Sequence, residues 1–141
     1  MFEGAKAHPN HTNAQVVEIF RPMMNMHRFN SSMKYLLLPE CDPKEHLECI
    51  RRLVDLDRAW MPDRPNHSLY IRPAGMSWEN TLGVKAPSSA RIFTILSPVG
   101  PYYPRGFNPV KLYCDADAVR AWPNGHGAYK IGGNYGPTIR H

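Results

Sequence analysis

The sequence predicts an α+β (α/β) fold in which short strands are interleaved with two amphipathic helices. Two segments repeat apolar residues every three to four positions, which is the period of a helix with one buried face. Other segments are short runs rich in Val, Ile, Leu, Tyr and Phe, which is typical of strands. The 14 prolines of this 141-residue chain lie between the apolar runs, so they indicate turns between elements.

Two helices are predicted from apolar spacing together with end signals. The first spans residues 25–38, with Asn25 as its N-cap and Pro39 as the residue that stops it. The second begins at Asp42 in the string Asp-Pro-Lys-Glu and runs to about Trp60. That string places an acceptor at the cap, a proline at the first helical position and a glutamate at the third.

Four segments have the composition of strands, and they are residues 13–20, 68–72, 90–97 and 110–114. The third is the more apolar, so we expect it at the centre of a sheet. Residues 98–109 are dense in Pro, Gly and Tyr, which indicates a linker. A short helical turn is expected at 116–122.

Composition argues against several classes of protein. The net charge is +5, but the basic residues are scattered and Arg51-Arg52 is the only adjacent pair, which disfavours a nucleic-acid-binding face. Three cysteines without CxxC spacing disfavour a disulfide framework and fit a reducing compartment. The histidines are dispersed, so no metal site is expected. No run approaches the ~20 apolar residues of a membrane span.

The stretch that most clearly indicates a chemical function is Tyr129–Tyr135, YKIGGNY. Glycines let a backbone approach a planar or anionic group closely. A lysine beside them can serve as a point charge for phosphate or, when desolvated, as an amine that forms a Schiff base. The string by itself also fits an ordinary loop lysine next to turn glycines.

Extended to KIGGNYGPT, this string resembles the lysine motif of the branched-chain aminotransferases, which are fold-type-IV enzymes dependent on pyridoxal 5'-phosphate. Further segments resemble the same family in the same order, and such an ordered set is hard to obtain by chance. The resemblance implies a D-amino-acid-aminotransferase-like fold. The segments are FEGAKA at 2–7, IFRP at 19–22, NMHR at 25–28, SLYIRP at 68–73, LGV at 82–84, LSPVGPY at 96–102 and RAW at 120–122.

The resemblance implies three cofactor-binding residues. Lys130 would form the Schiff base with pyridoxal 5'-phosphate and carry the proton between substrate and cofactor. Tyr135 would hydrogen-bond the phenolic oxygen of the cofactor. Arg28 would bind the phosphate, an anion that suits a guanidinium fork.

The resemblance also implies a pocket for Leu, Ile, Val and their 2-oxo acids, with glutamate and 2-oxoglutarate as the second substrate pair. Tyr70 and Arg72 lie two apart on a predicted strand and therefore on one face. The family uses this arginine for the side-chain carboxylate of glutamate and this tyrosine across a dimer interface. Phe2, Val84 and Tyr135 match further positions at the substrate, the first two in its apolar pocket.

By resemblance the chain divides into a small α/β domain at 1–103, a linker at 104–117 and the start of a large cofactor-binding domain at 118–141. Both ends are expected to be truncated relative to the family, which would leave this chain alone a poor catalyst, with no sheet or cofactor for Gly132, Gly133 and Tyr135 to pack against. The full-length protein is expected to be a cytosolic or mitochondrial homodimer, without a nucleic-acid or membrane partner.

Alternative interpretations are another fold-type-IV enzyme, such as a D-amino-acid aminotransferase or an aminodeoxychorismate lyase, and an inactive interaction module. The SLYIRP and LSPVGPY segments favour the branched-chain group. Trp78 and His8 depart from the family pattern, and Trp78 is expected to narrow the entrance to the substrate pocket.

Overall fold

The computed structural model describes residues 1–13 and 15–140 and consists of one antiparallel sheet with two helices packed on it. In chain order the elements are β1 (Ala5–Pro9), β2 (Val17–Ile19), α1 (Pro22–Tyr35), α2 (Pro43–Leu56), β3 (Ser68–Ser77) and β4 (Ala90–Val99). Three short 3-10 helices follow α2 or lie near the end of the chain, at Arg58–Trp60, Gly132–Asn134 and Gly136–Arg140. No helix within the described ranges is long and apolar enough to cross a membrane.

The strand order in the sheet is β2-β1-β3-β4, and every neighbouring pair is antiparallel. The longest ladder joins β3 to β4 over ten residue pairs. The prediction that β4 is central is therefore wrong, because β4 is an edge strand of the described sheet. Its side chains alternate between half-buried and largely exposed, so only one of its faces is covered.

The helices cover one face of this sheet and enclose two apolar clusters. The larger cluster joins β1 and β3 to both helices, and the smaller one lies beneath the C-terminal half of α1. The opposite face of β3 carries the alternate, half-buried residues, including Tyr70 and Arg72. The larger cluster consists of Ala7, Met26, Ile50, Val54, Leu69 and Ile71, and the smaller of Phe29, Met33 and Leu38.

The start of α1 differs from the prediction. The helix begins at Pro22 instead of after Asn25, since proline is favoured in the first turn, where no backbone N–H is needed. Arg21 occupies the cap position with a left-handed φ of 45° and makes no side-chain capping bond. The Asn25 side chain instead donates to Glu3 and to the carbonyl of Gly4.

The predicted start of α2 is confirmed. The Asp42 carboxylate accepts hydrogen bonds from the backbone N–H groups of Lys44 and Glu45 at 2.7 and 3.1 Å. These two bonds hold the pKa of Asp42 below its ordinary value, because they stabilise the charged form. The α-helix ends at Leu56, and the 3-10 turn Arg58–Trp60 continues to the predicted end.

Other strand predictions need correction. Strand β1 was not predicted, because AKAHP is short and poor in β-branched residues. Strand β2 is shorter than the predicted 13–20, a range that includes Ala14, which lies outside the described residues. Strand β3 continues past its predicted end to Ser77. Residues 100–131 are all described and contain neither the predicted strand 110–114 nor the helical turn 116–122. Most of these residues are exposed, and none pairs with a strand of the sheet.

The segment before the C-terminus packs against α1. The rings of Tyr35 and Tyr129 stack with their centroids 4.1 Å apart, and the backbone N–H of Lys130 donates to the Ser32 hydroxyl at 3.0 Å. Ile131 and Asn134 are buried. Residues 129–131 and Asn134 are therefore at least partly buried, whereas Gly132 and Gly133 are exposed.

Candidate active site

The N-terminal segment, β3 and the loop that carries Lys130 meet, although they are distant in sequence. The N-terminal segment lies between β3 and the loop that carries Lys130. Its position is fixed by the backbone N–H of Phe2, which donates to the carbonyl of Lys130 at 3.1 Å, and by that of Glu3, which donates to the carbonyl of Pro73 at 2.8 Å. A single isolated bridge also pairs Phe2 with Ala74 on β3. These bonds bring together Phe2 and Lys130, which were both predicted to be site residues.

The Lys130 ammonium lies against two aromatic side chains. Its Nζ donates to the hydroxyl of Tyr135 at 3.0 Å. It also lies 4.5 Å from the centroid of the Phe2 ring and 5.1 Å from that of Tyr135, in the range of cation–π contacts. Lys130, Tyr135 and Phe2, which the sequence predicted as site residues, thus form one group of contacts.

Asn134 closes the loop that carries Lys130. Its amide group donates to the carbonyls of His126 and Tyr129 at 3.0 and 2.6 Å, and its oxygen lies 2.5 Å from His126 Nδ1. Its side chain is 1% exposed. Sequence reasoning did not single out Asn134, although its place between Gly133 and Tyr135 in the lysine motif was a usable signal. A buried amide with these partners gives the loop a defined shape.

Arg28 reaches the same loop from α1. It lines a cleft of about 170 Å³ together with Arg120, Lys130, Tyr135 and residues 127–129. Arg120 was part of a sequence motif but was not predicted as a site residue. Two guanidinium groups and an ammonium give this cleft the charge that attracts an anion.

A fully buried carboxylate holds Arg28 in place. Glu3 accepts from Arg28 Nε at 2.7 Å and from Arg28 Nη2 at 2.8 Å, and its side chain has no exposed surface. The hydrogen bonds to Glu3 raise the pKa of Arg28. Sequence reasoning missed Glu3, although it lies within the FEGAKA segment.

Tyr70 and Arg72 lie side by side on β3, as predicted. Arg72 Nη2 donates to the Tyr70 hydroxyl at 2.7 Å, and the guanidinium lies 4.5 Å from the centroid of the Phe2 ring. Phe2 therefore contacts the cations of both Arg72 and Lys130. Arg72 Nε is buried and has no hydrogen-bond partner in the part of the chain that the structure describes.

Val84 stands apart from this group. It is fully exposed, in the loop between β3 and β4. Trp78, at the start of that loop, is 49% exposed, and the guanidinium of Arg91 lies 3.5 Å above its ring. The structure thus brings six of the seven predicted site residues to one region and leaves Val84 outside it.

Solved structures identify the fold. The chain superposes on two structures of the branched-chain amino acid aminotransferase from the organism abbreviated T.th., one with pyridoxamine 5'-phosphate and one with N-(5'-phosphopyridoxyl)-L-glutamate. The TM-scores are 0.65 and 0.62 at 24% identity, over 99% of this chain and 44% and 42% of those chains. The chain has the fold of the fold-type-IV aminotransferases, as expected from the sequence.

Sequence comparison then gives the family, although no protein-family model matches the chain. It is 49% identical over 138 residues to the branched-chain-amino-acid aminotransferase of Dictyostelium discoideum. It is also 49% identical over 140 residues to the cytosolic enzyme of Ovis aries and to the mitochondrial enzyme of Bos taurus. These matches cover 98–99% of the chain but only 35–36% of each relative. Over the segment that it spans, the chain belongs to the branched-chain aminotransferase family.

Proposed function

We propose that this chain supplies the lysine side of the active site of an aminotransferase that uses pyridoxal 5'-phosphate to move the amino group of Leu, Ile or Val to 2-oxoglutarate. The observation that carries the proposal is the contact of Lys130 Nζ with the Tyr135 hydroxyl in a cleft that Arg28 lines. Family membership and the ligands of the solved relatives support the same cofactor.

The residues in the cleft fit this cofactor. Pyridoxal 5'-phosphate, when bound, supplies an aldehyde that condenses with amines and a ring that withdraws electrons from the bound amino acid. Its functional groups are an aldehyde, a phenolic oxygen and a phosphate, and the cleft offers an amine, a phenol and two guanidinium groups. We assign the aldehyde to Lys130, the phenolic oxygen to Tyr135 and the phosphate to Arg28.

Lys130 is also the group placed to move a proton. The Lys130 amine lies beside the Tyr135 hydroxyl and above the Phe2 ring, so its position is restricted. A restricted amine next to the α-carbon of a substrate acts as general base and then as general acid. The Phe2 ring also covers one side of the amine.

Phe2, Tyr70 and Arg72 form the proposed substrate side of the site. Arg72 Nε is buried and has no hydrogen-bond partner among the described residues, and the Tyr70 hydroxyl orients the Arg72 guanidinium. A guanidinium held in this way suits the side-chain carboxylate of glutamate or 2-oxoglutarate. The Phe2 ring offers the apolar surface that Leu, Ile and Val need, since their side chains contain no polar atom.

We further propose a homodimer in which Val84 contributes to the pocket of the second subunit. A side chain that lines an apolar pocket must be covered, and nothing in residues 1–13 and 15–140 covers Val84. The relatives are named as cytosolic and mitochondrial enzymes, so we place this protein in one of those two compartments.

Reductive labelling tests the assignment of Lys130. The chain is incubated with pyridoxal 5'-phosphate, treated with borohydride, digested and mapped by mass spectrometry. We expect the phosphopyridoxyl group mainly on Lys130 and only weakly on the other five lysines, and we expect Lys130→Ala to remove most of the label. Lys111→Ala, which changes an exposed lysine that does not line the cleft, is the matched control and should leave the label unchanged.

Equal labelling of all lysines in the unsubstituted chain would contradict the proposed role of Lys130. The substrate class is tested separately with amino donors on the full-length protein, because this chain alone is expected to be a poor catalyst. Leu, Ile and Val should convert the bound cofactor to its amine form, followed by its absorbance, whereas D-alanine should not. A response to D-alanine alone would favour a D-amino-acid aminotransferase.

A further inference from the structure

Glu3 is a fully buried carboxylate to which the proposed reaction gives no role. A charged group without solvent contact is costly unless it is paired, so its surroundings indicate what it is for. Its side chain faces Arg28 and Asn25, both on α1, and its backbone is bonded to β3 through the carbonyl of Pro73. Glu3 is therefore fixed at both its backbone and its carboxylate.

We infer that Glu3 is a positioning residue, which holds the Arg28 guanidinium in the orientation that receives an anionic group in the Lys130 cleft. The inference rests on the proposed role of Arg28 as the phosphate-binding residue. Glu3 itself does not line the cleft.

The hydrogen-bond pattern leaves part of the guanidinium free. Glu3 receives one N–H from Arg28 Nε and one from Nη2, two of the five donors of an arginine. The remaining donors are the two of Nη1 and the second of Nη2, which point away from Glu3. Because the guanidinium is planar, the bidentate contact with Glu3 fixes the direction of this free edge.

The pair also restricts where Arg28 can go. The Arg28 side chain is 53% exposed, and an exposed arginine normally samples many rotamers. Moving away from Glu3 would leave a buried carboxylate without its countercharge, which is strongly unfavourable. Arg28 is thus held in one orientation before any ligand arrives, and ordering it costs little when the ligand binds.

A double-mutant cycle tests the inference. The affinity for pyridoxal 5'-phosphate is measured by fluorescence titration for the unsubstituted chain, Glu3→Gln, Arg28→Ala and the double variant. Glutamine keeps the shape but loses one acceptor and the charge, so Glu3→Gln should weaken binding about three- to tenfold. Adding Glu3→Gln to Arg28→Ala should not lower the affinity for pyridoxal 5'-phosphate any further, because Glu3 acts through Arg28. A further loss of the same factor would overturn the inference.

Thermal unfolding of the same four proteins is a second test of the inference. Arg28→Ala leaves the Glu3 carboxylate buried and unpaired, whereas the double variant removes both charges. We expect the double variant to unfold at a higher temperature than Arg28→Ala. If the double variant is the less stable one, Glu3 is not held by its pairing with Arg28.

A third measurement needs no substitution and no cofactor. Hydrogen exchange of the arginine Nε–H groups is followed by NMR in the unsubstituted chain. Arg52 is the internal control, since its Nε also donates to a carboxylate, that of Glu48 at 2.8 Å, but on an exposed helix surface. Arg28 should exchange more slowly than Arg52, and equal exchange would overturn the inference.

The three measurements distinguish the proposed phosphate contact of Arg28 from the positioning role of Glu3. If Arg28 exchanges slowly and the stability cycle shows the pairing, but Arg28→Ala binds pyridoxal 5'-phosphate normally, the proposed phosphate contact of Arg28 fails. In that outcome Glu3 still fixes the orientation of Arg28, but Arg28 does not bind pyridoxal 5'-phosphate. The proposal that Glu3 positions Arg28 for this ligand then fails as well. If Arg28→Ala weakens binding while Glu3→Gln does not, only the positioning role fails.

Discussion

Gly4 lies so close to Tyr70 that a side chain has no room there. A Cβ built on Gly4 would overlap the Tyr70 hydroxyl and would lie 3.1 Å from Cζ of the same ring. That hydroxyl accepts the hydrogen bond from Arg72, so the absence of a side chain at Gly4 allows Tyr70 and Arg72 to take their positions in the candidate site. The glycine is needed for close packing.

We predict that Gly4→Ala destabilises the chain by roughly 1–3 kcal/mol, the usual cost of overpacking a tight contact. The measurement is the free energy of unfolding in urea. Tyr70→Phe removes the atom that clashes, so Gly4→Ala combined with Tyr70→Phe should recover most of that loss. If Tyr70→Phe gives no recovery, the clash is not with the hydroxyl, and the orientation of Tyr70 and Arg72 does not depend on Gly4.

The contact between α1 and α2 is made in part by a buried histidine. His46 on α2 packs edge-on against the Phe29 ring of α1, with the ring centroids 4.8 Å apart. Its Nδ1 lies 3.7 Å from the Cys41 sulfur, and its Nε2 is buried without a hydrogen-bond partner among the residues that are described. Burial lowers the pKa of His46 and raises the pKa of the Cys41 thiol, so it favours the neutral form of each group.

The lowered pKa of His46 predicts a pH dependence of stability. Between its ordinary value of 6.5 and its lower folded value, the unfolded chain binds a proton that the folded chain does not. The free energy of unfolding should therefore fall as the pH is lowered through this window. Urea unfolding at about pH 7.5 and about pH 5.5 measures the effect.

His46→Phe should reduce this pH dependence, because phenylalanine fills the same site and does not titrate. His27→Phe is the control, since His27 lies on the exposed side of α1. A pH dependence that His46→Phe leaves intact would show that other groups cause it.

Across the whole molecule, the chain after β4 has two distinct parts. Residues 101–114 are exposed and belong to no helix or strand. The following loop, in contrast, is attached to α1 by the Ser32–Lys130 hydrogen bond and the stacking of Tyr35 on Tyr129, and it buries Ile131. The attached part is the one that carries the proposed catalytic lysine.

Limited proteolysis with trypsin should distinguish these two parts. Arg105, Lys111 and Arg120 are exposed, and we expect cleavage there first. Cleavage after Lys130 should be at least about tenfold slower, because the loop must first detach from α1, and ~1.4 kcal/mol of local opening gives that factor. Asn134→Ala should accelerate the Lys130 cleavage selectively, whereas Asn108→Ala, at an exposed amide, should not. Equal cleavage rates at Lys111 and Lys130 in the unsubstituted chain would contradict the attachment.

The sequence alone determined the features that depend on neighbouring residues. The start of α2 was predictable because Asp42 caps the backbone N–H groups two and three residues further on. The Lys130–Tyr135 contact spans five residues and follows from the local motif. The fold and family were also predictable, since ordered motifs over the whole chain resembled one family.

Only the tertiary structure decided which residues surround that motif. Glu3 meets Arg28 across 25 positions, and the Ser32 hydroxyl meets the Lys130 N–H across 98. Strand β4 was expected at the centre because of its apolar sequence, yet it lies at the edge, because no strand among the described residues pairs with its side away from β3. Such contacts are selected by the free energy of the assembled chain, because burying a carboxylate or pairing a strand is favourable only when its distant partner is already in place.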